Sequence, residues 1–161
     1  MPIWDTILNT IGAEFSDLSD IEMGTRITLR LLLAALLGGM LGYERASQGK
    51  AAGVRTHMLV ALGAALFVVV PEQAGVAEDA MSRVTQGVIA GVGFLCAGTI
   101  LKSERDTDVR GLTTAAGIWL TAAIGVAVGV GYEITAIISA LMVLFVLNVI
   151  PSSSDKKSTQ E

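Results

Sequence analysis

The sequence predicts an all-α membrane protein, five transmembrane helices in a compact bundle, and three observations carry that expectation. The chain is 52% hydrophobic and only 16% charged, where a soluble domain carries about 25% charged residues. Its mean hydropathy is +0.64, more apolar surface than a single core of 161 residues hides. The apolar residues also gather into five runs of near-spanning length, without the period-2 alternation of barrel strands.

A bilayer core of about 30 Å takes roughly 20 helical residues. The expected spans run from about Ile27 to Tyr43, Val54 to Val70, Val84 to Leu101, Leu112 to Val130 and Ile134 to Ile150. Pro71 and Pro151 are expected to close the second and fifth, and Gly129-Val130-Gly131 to turn the chain between the fourth and fifth. Three domains follow: an amphipathic interfacial segment (1–25) on the outside, a five-helix transmembrane domain (26–151) and a disordered cytoplasmic tail (152–161). In the first, Ile3, Trp4, Ile7, Leu8, Ile11, Phe15 and Leu18 recur at helical spacing. The start has neither the positive region nor the long apolar core of a signal peptide.

Basic residues set the orientation. Arg45, Lys50, Arg55, Lys102, Arg105, Arg110, Lys156 and Lys157, eight of the eleven Lys and Arg, fall in the first and third connections and the tail. Under the positive-inside rule those parts are cytoplasmic and the N-terminus is outside. A net charge of −4 gives no basic stripe for phosphate backbones, so nucleic acid is not an expected partner. The single cysteine, Cys96, precludes an intrachain disulfide.

Glu44-Arg45 followed by Val54-Arg55-Thr56, and Glu104-Arg105 followed by Val109-Arg110, suggest that spans one and two repeat as spans three and four. The two hairpins would be parallel repeats about an axis along the membrane normal. Gly38 and Gly42, Gly87 and Gly91, and Gly125 and Gly129 form three GxxxG pairs, widened by Gly93 and Gly98. Lipid gives helices no hydrophobic reason to associate, so small residues that allow close approach are expected to do so. These faces serve either packing within the bundle or a second copy or partner helix.

No catalytic constellation is present: one histidine, no paired carboxylates within a span, and Gly91-Val92-Gly93 without a preceding strand or Walker lysine. The expectation is a non-enzyme with no cofactor and no metal site. Arg30, about a turn inside span one, is expected to snorkel outward. Gln86, Thr113, Thr114, Thr121 and Asn148 are expected to bond between helices or to line a neutral polar path. Charge concentrates at the cytoplasmic rim, around Glu44, Arg45, Lys50, Arg55 and His57 on one hairpin and Lys102 to Arg110 on the other. Arg55 and Arg110 each open a helix, where the dipole disfavours a cation, so pairing with Glu44, Glu104 or an external anion is expected. With Thr56, Thr113 and Thr114 they form the candidate rim for binding or partner contact.

The blocks GYERASQGKAAGVRTHMLVALGAAL and RVTQGVIAGVGFLCAGTILKSERDTDVRGLTTAAGIWL resemble the membrane domain of the MgtC/SapB family, from about Leu37 to Gly131. Matching residues are Glu44, Arg45, Gly53, Arg55, Thr56 and His57, then Gly91, Gly93, Phe94, Ala97 and Gly98, then Arg110 to Ala115. The resemblance implies a multi-pass protein of the bacterial inner membrane linked to growth in low magnesium. It implies partners such as the F-type ATP synthase or a P-type Mg²⁺ ATPase, which the protein would regulate, and direct magnesium transport is the alternative. Cys96 stands where the family usually has glycine, which implies looser packing there. The soluble C-terminal domain of the best-known members has no counterpart, so the membrane part would act alone.

Overall fold

The computed structural model describes residues 3–16, 20–102 and 109–150. Their helices are α1 (Ile3–Glu14), α2 (Ile21–Ser47), α3 (Val54–Gln73), α4 (Glu78–Ala97), α5 (Leu112–Val130) and α6 (Glu133–Val149). Between α4 and α5 lies a two-residue antiparallel ladder, β1 (Leu101–Lys102) with β2 (Val109–Arg110), in which Leu101 faces Arg110. The expected tail, and Leu18, Glu104 and Arg105, lie outside the described residues.

The all-α class holds, and α2, α3, α4 and α5 are each long and apolar enough to cross a bilayer. α6 is apolar but has 17 residues, about 25 Å of helix. Leu32, Phe67, Phe94 and Phe145 are among the many large apolar side chains left exposed on these helices. Continuous exposed apolar surface of this kind is a lipid-facing surface.

Three elements differ in their boundaries from expectation, the third being α4, which runs from Glu78 to Ala97 instead of Val84 to Leu101: its acidic first turn, Glu78 and Asp79, belongs to the helix, and Leu101 pairs in β1. α2 starts at Ile21, not near Ile27, because Asp20 caps it, accepting from the Glu22 amide at 3.0 Å, and the exposed Glu22–Arg26 pair supports its first turns. Hydropathy alone had cut that charged start away, and placed it in the interfacial segment. α3 runs through Pro71 to Gln73 instead of closing at Val70. A proline in a final turn loses one bond to the preceding turn but leaves the later carbonyls to the chain beyond, and here the Ala74 amide donates to Val70 O and Val76 to Pro71 O. α5 ends as its sequence predicts: Gly131 has φ +92, with the Tyr132 amide donating to Ala127 O and the Gly131 amide to Val128 O.

α3 is the centre of the packing. A Cβ on Gly38 would lie 2.6 Å from His57 O and 2.9 Å from Ala61 Cβ, and one on Gly42 would lie 2.6 Å from Val54 Cα. On the other side, a Cβ on Gly125 would strike Ala61 O, and one on Gly129 would lie 2.8 Å from Ala65 O. The GxxxG pairs of α2 and α5 thus both close on α3, which meets them with Ala61 and Ala65, each fully buried. Around this contact Leu37, Leu41, Ile124, Val128, Ala136 and Ala140 complete an apolar core shared with α6.

α4 is attached differently. Cys96 is its only buried residue, joining a small second cluster with Ala52, Ala115 and Ile118. Gly87, Gly91 and Gly93 have nothing within 4 Å of a built Cβ, and Gly98 meets only backbone of its own preceding turn. Among the described residues, therefore, nothing approaches the α4 GxxxG closely. The hairpins also differ in build: α2 and α3 join through a turn closed by Gly49 at φ +65, α4 and α5 through the β1–β2 ladder.

Adding one methyl group separates the two kinds of glycine. Gly125→Ala is expected to lower stability by about 1–3 kcal/mol through overpacking. Gly91→Ala, with open space and the better helix propensity of alanine, is expected to leave it unchanged or higher. Thermal unfolding of the detergent-purified variants measures both.

Candidate functional site

The hairpin turn between α2 and α3 places the predicted rim at one end of the bundle, where the structure divides it into a buried and an exposed part. Glu44, Arg45 and His57 are all buried, at 7%, 3% and 1% exposure, and Thr114 at 6%. Arg55, Arg110 and Thr113 are exposed, and Thr56 is half-buried.

Each buried group is held by its helix. His57 sits one turn into α3, and its Nδ1 is 3.0 Å from Gly53 O. A carbonyl only accepts, so Nδ1 carries the proton and Nε2 of the neutral ring is an acceptor. Nε2 faces Gly117 of α5, where a Cβ would be 3.7 Å away. Glu44 and Arg45 lie in the last turn of α2, with Arg45 Nη1 3.7 Å from Glu44 Oε2. That is an ion pair but too long for a hydrogen bond. Both oxygens of Glu44, Nε and Nη2 of Arg45 and Nε2 of His57 are enclosed without a hydrogen-bond partner among the described residues. Glu44 therefore does not neutralise Arg55, which makes no ion pair with any described residue.

Two of the polar residues expected to bridge helices, Thr121 and Asn148, bond within their own. Thr121 Oγ1 donates to Gly117 O at 2.8 Å and Asn148 Nδ2 to Leu144 O at 2.8 Å, so for these two the expected bonds between helices are replaced by backbonds four residues earlier. Cys96, expected to loosen its surroundings, is instead a link: its Sγ donates to Ala115 O of α5 at 3.1 Å.

A second polar centre occupies the opposite end, and sequence reasoning missed it. Arg30 does not snorkel outward; it is 7% exposed and turned into the bundle. Its Nη1 donates to Glu72 Oε2 at 2.6 Å and to Gly129 O at 2.9 Å, and its Nε lies 3.6 Å from Glu133 Oε1. One guanidinium thus ties α2 to the ends of α3 and α5 and the start of α6. Gly129 O is a final-turn carbonyl left without a backbone amide, so Arg30 also caps α5. A Cβ on Gly131 would strike Arg30 Nη2. Residue counting carried the signal: Arg30 lies 17 residues before the end of α2 and Glu72 lies 18 after the start of α3, hence at one depth.

Between the two centres lies the apolar core of Ala34, Leu37, Leu41, Ala61, Ala65, Ile124 and Val128. Among the described residues no group of three His, Cys, Asp or Glu side chains converges as metal ligands.

A family model described as the MgtC family matches residues 31–155, most of the chain and all of α3, α4, α5 and α6. The chain belongs to the MgtC family. Among its relatives, "Protein SrpB" of Synechococcus elongatus is 47% identical over 133 residues, 76% of this chain and 73% of the relative. "Putative magnesium transporter YhiD" of Escherichia coli is 43% identical over 135 residues, 79% of this chain and 61% of the relative. "Protein MgtC" of Salmonella typhimurium is 40% identical over 116 residues, 72% of this chain and 48% of the relative. The chain thus spans less than two thirds of YhiD and about half of MgtC. No solved structure matches it. As a family member with four apolar helices of spanning length it is a multi-pass membrane protein.

The two centres respond differently to substitution. Arg30→Met removes the partner of two half-exposed carboxylates and of a helix-end carbonyl, and is expected to destabilise by about 1–3 kcal/mol. Glu44→Gln and Arg45→Met should each destabilise, while the double variant recovers most of the loss, because replacing both buried charges removes their desolvation together. Thermal unfolding of the four variants in one detergent checks the pattern.

Proposed function

We propose that the chain is a non-enzymatic protein of the bacterial inner membrane that regulates a membrane ATPase or transporter in connection with magnesium. The reading takes all five apolar helices as spans, with the N-terminus outside and the Glu44–His57 end in the cytoplasm, as the basic residues favour. α1 then lies along the outer interface, since Ile3, Trp4, Leu8 and Phe15 are all exposed.

The observation that carries the proposal is the free face of α4. Where α2 and α5 spend their GxxxG pairs on α3, α4 keeps Gly87, Gly91 and Gly93 open along an apolar helix. In lipid such a face associates through close backbone approach. At the cytoplasmic end, Arg55 and Arg110 are exposed at the starts of two parallel helices and give an acidic partner surface its contact. The magnesium connection rests on the printed name of YhiD. Fitting partners are the F-type ATP synthase or a P-type Mg²⁺ ATPase, with self-association as the competing occupant.

YhiD's name also favours a second reading, a small transporter for an ion such as Mg²⁺. Against it, the apolar core separates the polar centres, and an ion would need that core to reorganise. Mg²⁺ flux into liposomes containing the purified protein alone would support this second reading.

The first reading predicts that crosslinking at native expression, followed by mass spectrometry, joins α4 to a membrane ATPase or transporter. Gly91→Leu is expected to abolish that product while leaving thermal stability within about 0.5 kcal/mol. Recovery of this chain alone, from both proteins, contradicts it.

A further inference from the structure

At the Arg30 end, the start of α2 and the end of α3 line an open cleft of about 310 Å³, near the lower bound of the roughly 300–1,000 Å³ typical of small-molecule sites. Its charged lining carries both signs: Asp20, Glu22 and Glu72 against Arg26 and Arg30. Met23, Ile27 and Val69 supply an apolar wall. Arg30 is the deepest cation, its side chain 9% exposed, and its Nε is enclosed without a hydrogen-bond partner among the described residues. Arg26 and Glu22 pair at 2.7 Å but are 58% and 77% exposed, so a ligand can replace that pairing at little cost.

The depth selects the kind of ligand. α2 has 27 residues, about 40 Å of helix against a hydrocarbon core of about 30 Å. Its surplus of about 10 Å amounts to about seven residues, so Glu22 and Arg26 stand at the level of lipid headgroups and Arg30 about a turn below them. An opening there between two spanning helices is filled by lipid or by water. Arg26 is paired with Glu22 and Arg30 with Glu72, so an anion or a cation that replaced the exposed Arg26–Glu22 pairing would leave the displaced partner unmet. A zwitterion meets both: a phosphate accepts from Arg26, with the charge of Arg30 beneath it, and an ammonium donates to Glu22, Glu72 or Asp20.

We propose that this cleft binds the headgroup of a zwitterionic aminophospholipid, phosphatidylethanolamine in chemical class, with the lipid's apolar part against Met23, Ile27 and Val69. Phosphatidylcholine has the same net charge but a quaternary ammonium with no N–H, so it cannot donate to the carboxylates. Phosphatidylglycerol has the phosphate without the cation. Neither the regulatory nor the transport reading is needed for this assignment.

The test is native mass spectrometry of the full chain taken from vesicles of equal parts phosphatidylethanolamine, phosphatidylcholine and phosphatidylglycerol. The expected result is one retained phosphatidylethanolamine in preference to either competitor. Arg26→Gln, an exposed position, should weaken that preference roughly tenfold, the loss of about one charge-assisted contact. Gln73→Ala, also on the cleft wall, provides a second variant that leaves the Arg30 pairs intact. Equal retention of the three lipids, preference for phosphatidylglycerol, or an undiminished preference in both variants overturns the proposal. Full displacement by soluble phosphoethanolamine with no lipid retained overturns the lipid assignment.

Discussion

The fold depends on how closely two helices can approach a third. α3 carries alanine where α2 and α5 carry glycine, and at Gly38, Gly42, Gly125 and Gly129 no room exists for a β-carbon. Hydrocarbon gives these helices no apolar incentive to associate, so the contact itself supplies dispersion and close backbone packing. Everything else is arranged on that three-helix unit. α6 completes its core through Ala136 and Ala140, and α4 leans on it through Cys96 and the half-buried Val92.

Polar groups follow from the same constraint. Tight packing through the middle leaves space for charge only at the two ends, and both ends use it in buried form. At one, Arg30 Nη1 satisfies Glu72 and an orphan carbonyl of α5, a structural tie that leaves only its Nε without a hydrogen bond among the described residues. At the other, Glu44, Arg45 and His57 keep several buried atoms without partners. Enclosed atoms of that kind carry a desolvation penalty that a stability-only design would remove. This asymmetry makes the Arg30 centre a fastening and the Glu44 centre the better candidate for work.

Much of the fold was legible because membrane spans announce themselves by length and apolarity, and Leu112–Val130 was read to the residue. Other features were not legible for definite reasons. Hydropathy discards charged turns, so the start of α2 was lost although Asp20 and the Glu22–Arg26 spacing mark it. Pro71 reads as a stop, yet a final turn tolerates proline. A GxxxG pair records that a helix can approach another closely, not whether the other helix is in the same chain, and Gly87–Gly91 reads like Gly125–Gly129 until α4 is placed. Of the candidate rim, the sequence located Glu44, Arg45, Arg55, His57 and Arg110 at one end. It could not separate buried Glu44 from exposed Arg55, because that depends on which helix covers each face.

The central contact can be measured in native membranes by disulfide formation in a Cys96→Ser background. Gly39 and Met58 face each other across α2 and α3, with a Cβ at Gly39 3.4 Å from Met58 Cγ, within reach of a disulfide. Cysteines at both positions should link within one chain on mild oxidation, while a single cysteine at Gly91 should link only to another polypeptide. Failure of the Gly39–Met58 pair to close, or an intrachain bond from Gly91 to a cysteine placed on α3, would contradict the arrangement of the bundle around α3.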